Sequence, residues 1–524
     1  MSDQKVERVW RAYSNLEEED HPYMSGPFQP NLEEVNADEL KVISGEFPTD
    51  VHGIYFRNTE QPTLKPKGNY HPFDGDSMLH RVAFDGEKCS YRNRFVRTEG
   101  FLAEQEAKQP LWVGVSEKSI KSARKGWGAE GYLKDTSATD VVVHNGKVLS
   151  MFYRCGEAYR LDPETLENLG KDNFAGRFPK EGISAHAKVD EETGELLFFN
   201  YSSKAPFMHY GIVNPSDEIV HYVDIPLEAP KLPHDMCFTK NFTILCDLAV
   251  QFDEAKLEKG EFKNTVSSKP CRFAILPRYG KSSEVKFFTV RKTFVLHFLN
   301  AYEKKDSRSN HDIIVLDGYR QCVYDGPPIP KPDTSWKDIV SEKYHKIFPT
   351  FGSMDIMLTK LWRWEFDLTT GETVWEGPID DLGDRLTEFG VFNQAYAGKE
   401  YRYAYSCLLE PGWLLFNGLV KHDLKNGTSS TFKCRPNRFC SEPAFAPRDD
   451  PKSEDDGYLV TFVTDMESRT SECVIFDALK IETGPVCRLA LPHRISCGTH
   501  ACWVPERLLK RSKRKIINAR SSKL

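Results

Sequence analysis

Short apolar runs broken by turn residues recur along the whole chain. Asp140–Leu149 reads as apolar, turn, apolar, with Val141 to Val143 on one side of Asn145-Gly146 and Val148-Leu149 on the other. Asn-Gly suits a two-residue hairpin turn, because both central positions of a type I′ turn need positive φ. Gly194–Asn200 and Gly457–Val463 are further strand-like runs, and Asp190–Gly194, Asp367–Gly371, Asp423–Gly427 and Asp477–Gly484 share an Asp-to-Gly loop pattern. Many short strands with irregular spacing predict an all-β sandwich or propeller rather than a strict sequence repeat. Two segments depart from the pattern. Residues 1–38 are polar and rich in Glu and Pro, predicting an arm or partly disordered lead-in with Trp10 and Tyr13 as docking residues. Residues 102–135, with Leu111, Trp112 and Trp127 among Lys, Glu, Ser and Gly, predict a helical excursion.

Size and charge narrow the class. A chain of 524 residues exceeds a usual domain, yet closed all-β folds of this size form single units. With 70 basic and 77 acidic residues the net charge is -7, which gives no electrostatic footprint for nucleic acid. No apolar run of about 18 residues predicts a membrane helix, and Met1–Arg8 has no apolar signal-peptide core. The expectation is an intracellular protein. Its 13 cysteines lack disulfide-framework spacing and predict reduced thiols. Cys497 and Cys502 flank His500, but a mixed Cys/His zinc site is disfavoured, because thiolate ligands come in closely spaced pairs.

Four histidines carry the chemistry. They stand in Ser-Ala-His186-Ala-Lys, Leu-Pro-His234-Asp-Met, Val-Leu-His297-Phe-Leu-Asn and Cys-Gly-Thr-His500-Ala-Cys-Trp, separated by 48, 63 and 203 residues. Only a closed fold could gather them. Neutral imidazoles suit iron, zinc or copper, whereas calcium or magnesium would demand carboxylates. Each histidine alone also reads as an ordinary core residue.

These frames resemble the iron-ligand motifs of the carotenoid cleavage oxygenase family, which includes stilbene- and isoeugenol-cleaving enzymes. Similar stretches are Phe56-Arg57-Asn58, Phe73–His80, Tyr159–Pro163, Asn300–Glu303 and Ser441–Arg448, so the resemblance spans roughly residues 40 to 505. It implies a seven-bladed β-propeller with a helical and loop dome over residues 39–505, and His186, His234, His297 and His500 as ligands of Fe(II). Four neutral ligands leave two positions of an octahedral shell for dioxygen and substrate. The implied reaction is cleavage of a conjugated double bond into two carbonyl products, with a hydrophobic small molecule and O2 as partners.

The resemblance also implies outer carboxylates that fix the ligand imidazoles. Glu388 and Glu442 match two such positions. At the third the chain has Arg154, with Glu157 as a substitute or another acceptor in its place. Thr139 matches a position that projects a methyl toward the open iron site, and an ordinary strand threonine is the alternative. Stilbene-cleaving relatives grip the substrate phenol with a lysine where this chain has Tyr153, so carotenoid or apocarotenoid substrates are expected, with stilbenes as the alternative and a non-catalytic propeller scaffold as the remote one. The basic tail 506–524 ends in Ser522-Lys523-Leu524. In a eukaryote this is a signal read by the peroxisomal import receptor. The basic residues before it read instead as a nuclear signal or a patch that touches anionic membrane, and outside a eukaryote the expected location is the cytoplasm.

Overall fold

The computed structural model describes residues 4–17, 22–68, 70–115, 133–251, 265–267, 269–322, 358–379, 385–410 and 415–510. The expected hairpins form in register. Val141 to Val143 pair with Ser150 to Val148 across the Asn145-Gly146 turn, and both turn residues have positive φ, +47° and +71°. Hairpins follow one another along the chain and assemble into antiparallel sheets that form the seven blades of a β-propeller. Four sheets have four strands each and run over Asp140–Lys171, Lys188–Pro226, Cys237–Val290 and Phe294–Pro378. Two further blades share a ten-stranded sheet, and the first blade is a six-stranded sheet.

The ring is closed twice. Strand Ala501–Pro505 pairs with His52–Gln61 in the first blade, while Val42–Gly45 adds to Pro485–Ala490 in the last. Apolar faces of neighbouring blades supply the core. Tyr55, Val82 and Tyr91 of the first blade pack with Val460, Phe462 and Ile475 of the last, and Phe273 and Ile275 of the fourth pack with Leu316, Trp364 and Phe366 of the fifth. Each such side chain contributes about 1.5–3 kcal/mol through burial.

Two segments differ from expectation. Within residues 1–38, Glu7–Arg11 and Glu33–Ala37 are strands that extend the first blade outward from Cys89–Phe95. Glu7–Arg11 is the edge strand and all five of its residues are exposed, whereas Glu33–Ala37 inside it buries Glu34, Val35 and Ala37. Trp10 packs edge-on against Phe95 and Phe101, with the Arg97 guanidinium 4.1 Å from its ring centre, and the Tyr13 N–H donates to Gln105 at 2.8 Å. Within 102–135, helix Glu99–Ala107 begins under a Thr98 cap that accepts the Phe101 N–H, and it ends at Lys108 in the left-handed region. Trp127 and residues 511–524, including Ser-Lys-Leu, lie outside the described residues.

Gly45 tests the outer clasp. It has φ +78°, and a Cβ there would stand 1.9 Å from the Val486 carbonyl oxygen. Gly45→Ala should cost about 1–2 kcal/mol in backbone conformation alone and more through the clash, read as a lowered thermal midpoint. An unchanged midpoint would show that this clasp does not hold the ring.

Candidate metal centre

The propeller brings all four histidines to its axis. Their ring centres lie 4.8 Å apart for His186 and His234, 5.0 Å for His186 and His297, 4.5 Å for His186 and His500, 5.2 Å for His234 and His297, and 4.7 Å for His297 and His500. Ligand nitrogens of His186, His234 and His297 fall within 4.8 Å of one another. All four side chains are buried, and Nε2 of His186 and of His297 has no hydrogen-bond partner. A buried, unpaired ring nitrogen is costly in a finished fold. Two of them converging with two further imidazoles fit a metal ion.

Local backbone irregularities aim these rings. His297 sits where the register of Phe294–Lys305 shifts between Val295 and Phe298, and such bulges re-aim side chains beside active sites. His186 lies at φ +66°, in the left-handed region, and its N–H donates to Asp140 Oδ2 at 3.0 Å. Phe389, also left-handed at φ +54°, packs its ring 4.8 Å from His297 and 4.9 Å from His500.

The imidazoles are fixed by acceptors on neighbouring blades. Glu388 Oε2 lies 2.7 Å from His297 Nδ1, and Glu442 lies 3.3 Å from His500 Nδ1 while accepting the Ala501 N–H. His234 Nδ1 lies 3.1 Å from the Leu296 carbonyl oxygen, which requires the Nδ1–H tautomer for a bond. The sequence matches no carboxylate to a third histidine, since Arg154 stands at the expected position, and the acceptor at His234 is this backbone carbonyl. Glu157 does not reach the histidines among the described contacts, and its carboxylate faces Lys171 at 3.5 Å. Asp140, missed as a site residue from sequence, accepts the N–H groups of Val141 and His186 and lies 3.5 Å from His186 Nδ1. A second group that could hold an ion joins Asp140 with His186 and His500, and each Asp140 oxygen also accepts one backbone N–H. Thr139 is buried, its hydroxyl accepts the Tyr153 N–H at 3.2 Å, and its carbonyl accepts the Thr499 hydroxyl at 2.7 Å.

Burial sets the charge states. It pushes His297 down to about 3 and His500 to about 4, and takes His186 and His234 well below the usual imidazole range, with neighbouring histidines adding to the effect for His186, His234 and His297. The rings are therefore neutral, the form a metal needs. Burial likewise pushes Glu442 up to about 7 and Glu388 well above the carboxylate range. A bound dication would favour their ionised forms.

A cavity of about 210 Å³ reaches His186, His297 and His500. Its wall is mixed, with Val141, Val189, Phe298 and Phe392 beside Asp140, Lys188, Asp235 and Glu442. Elsewhere on the cluster Tyr153 lies 6.0 Å from His234, ring centre to ring centre, and packs edge-on against Phe73. The described cysteines are free thiols, and no metal-competent group among the described residues includes one.

Residues 28–505 match the family model described as Retinal pigment epithelial membrane protein. The chain belongs to that family. It is 27% identical over 521 residues to carotenoid 9,10(9',10')-cleavage dioxygenase 1 of Pisum sativum, covering 93% of this chain and 90% of the relative. It is 28% identical over 499 residues to isoeugenol monooxygenase of Pseudomonas nitroreducens, covering 92% and 98%. In structure it is similar to Pseudomonas brassicacearum lignostilbene dioxygenase, with a TM-score of 0.77, 24% identity and coverage of 94% and 99%. Cobalt-substituted Synechocystis ACO gives a TM-score of 0.75 with 24% identity, over 95% and 100% of the two chains. These two structures share the fold.

Removing the hydrogen-bonding charge while keeping size separates the acceptors from their surroundings. Glu388→Gln and Asp140→Asn should each lower metal affinity by about 10–100-fold, read by metal analysis after dialysis against a graded chelator. His493, bound to Tyr91 and Asn31 away from the cluster, and Glu157 should tolerate Ala and Gln respectively with affinity unchanged. Equal losses in all four variants would contradict the assignment.

Proposed function

We propose that this chain is a non-haem Fe(II) dioxygenase that cleaves a conjugated carbon–carbon double bond of a carotenoid or apocarotenoid into two carbonyl products. The observation that carries the reading is the convergence of four buried, neutral imidazoles, two with unpaired Nε2 atoms, on the propeller axis. His186, His234, His297 and His500 would hold the ion. Iron held by these four neutral ligands would supply the redox chemistry for dioxygen.

The chain's own residues orient and shield. Glu388, Glu442 and the Leu296 carbonyl hold the Nδ1 protons of His297, His500 and His234, leaving each Nε2 as the donor toward the ion. Phe389 covers His297 and His500 with an apolar face. Tyr153 and Phe73 present uncharged aromatic surface next to His234, which suits an extended apolar polyene. Thr139 stands one residue before Asp140 and would limit water near the ion.

A second reading is cleavage of a stilbene or phenylpropanoid double bond, supported by the similarity to isoeugenol monooxygenase over 98% of that relative. The absence of a lysine at Tyr153 weighs against a phenolate grip of that kind. Assay of Fe(II)-reconstituted protein on an apocarotenal and on a 4-hydroxystilbene, side by side under air and under argon, should give aldehyde products from the apocarotenal at the higher rate and only under air. A much higher stilbene rate would establish the second reading. Failure to retain iron after anaerobic reconstitution would favour a scaffold.

A further inference from the structure

The four histidines are buried, so a divalent ion needs a way in, and an entry path is one of the requirements of a metal site. The aromatic side of the cluster offers none. Tyr153 and Phe73 stand next to His234, and Phe389 covers His297 and His500. An apolar wall has no ligand to replace the water stripped from a dication. The cavity of about 210 Å³ is built differently. It is lined by four carboxyl groups, Asp140, Glu191, Asp235 and Glu442, against the single ammonium of Lys188, which pairs with Asp235 at 2.7 Å.

This cavity has an inner and an outer end. At the inner end it reaches Asp140, His186 and His500, whose ligand atoms lie within 4.8 Å of one another. His186 Nε2 is buried without a partner, and each Asp140 oxygen accepts one backbone N–H and retains a second lone pair. At the outer end Val143, Val189, Glu191, Val504 and Leu508 also line a second cavity of about 70 Å³. That cavity extends to the turns Asn145-Gly146 and Thr193-Gly194, where Thr193 is exposed. Glu191 is the charged residue common to both. Helical residues 506–510 cover the junction: Leu508 lines both cavities, Leu509 is buried with Val141 and Val148, and the exposed Arg507 donates to Glu191 at 3.0 Å. The family match ends at residue 505, so this cover lies outside the part of the chain that the family model describes.

Resting on the four-histidine centre rather than on the reaction, we propose that this cavity is the loading route for a divalent transition-metal cation. Glu191 is its outer guide, and Asp140 with His186 and His500 is the receiving site at its inner end, from which the ion settles on the four imidazoles. A cavity of this size holds several waters, so an ion can exchange water for carboxylate oxygen in steps instead of losing its shell at once. A cleft lined by one sign of charge raises the local concentration of counter-ions and their rate of entry. Arg507, at the mouth, opposes that attraction, and Leu508 occupies the junction through which the ion must pass.

The test follows Co(II) uptake by metal-free, full-length protein through its visible absorption in a stopped-flow mixer, with release into excess chelator as the reverse measurement. Glu191→Gln should slow uptake about tenfold, and Arg507→Gln should speed it by a similar factor. Both variants break the same ion pair, so a purely mechanical clasp would move both rates in one direction. That result would overturn the guide role. At about 1 M salt, where charges are screened beyond about 3 Å, the two rates should converge. Leu508→Trp should slow uptake and release by one common factor and leave the affinity unchanged, because a barrier on the route alters rates alone. Unchanged rates in all three variants would place loading elsewhere and refute the route. For the inner site, His234→Ala/His297→Ala leaves Asp140, His186 and His500 in place and should still bind one Co(II), a capacity that adding Asp140→Asn should abolish. Binding that survives Asp140→Asn would overturn the receiving site. Failure of the wild type to take up Co(II) would refute the four-histidine centre itself, whereas uptake at rates indifferent to Glu191, Arg507 and Leu508 would refute the route and leave the centre standing.

Discussion

Everything at the centre of this molecule depends on carboxylates that reach from one blade to the backbone or ring of another. Asp140 holds the left-handed His186 through its N–H. Asp235 accepts the N–H groups of Met236 and Phe298 and pairs with Lys188 at 2.7 Å, tying together the segments that carry His234, His297 and His186. Glu388 orients His297 and Glu442 orients His500. Four histidines so distant in sequence are held together by carboxyl groups that tie each inner segment to its neighbours, in a buried medium where such bonds are strong.

The same ties explain the mixed polarity of the axial cavity. Asp140, Lys188 and Asp235 line it while also fastening the segments that carry the histidines. Apolar character is concentrated instead around Tyr153, Phe73 and Phe389. The cluster of imidazoles therefore has a polar side that faces the cavity and an aromatic side packed with Tyr153 and Phe389.

Much of this was legible in the sequence. Val141–Val143, Asn145-Gly146 and the Asp-to-Gly loops announced hairpins because turn chemistry is local, and the histidine frames announced a closed fold because nothing else could unite them. Glu388 and Glu442 were legible only through resemblance. Other features were not, for physical reasons. Strand Glu7–Arg11 is a solvated edge, and Glu33–Ala37 inside it buries Glu34 beside Val35 and Ala37, so neither carries an apolar alternation. The Leu296 carbonyl that holds His234 is backbone, which no side-chain pattern reveals. Asp140 reads as an ordinary polar residue in a strand, and only the three-dimensional neighbours of its oxygens distinguish it.

The most direct test of the account is X-ray absorption at the iron edge of Fe(II)-reconstituted protein. The arrangement predicts four imidazole nitrogens in the inner coordination sphere, with no sulfur and no protein carboxylate. A sulfur scatterer, a carboxylate such as that of Asp140, or fewer than four imidazoles would contradict it.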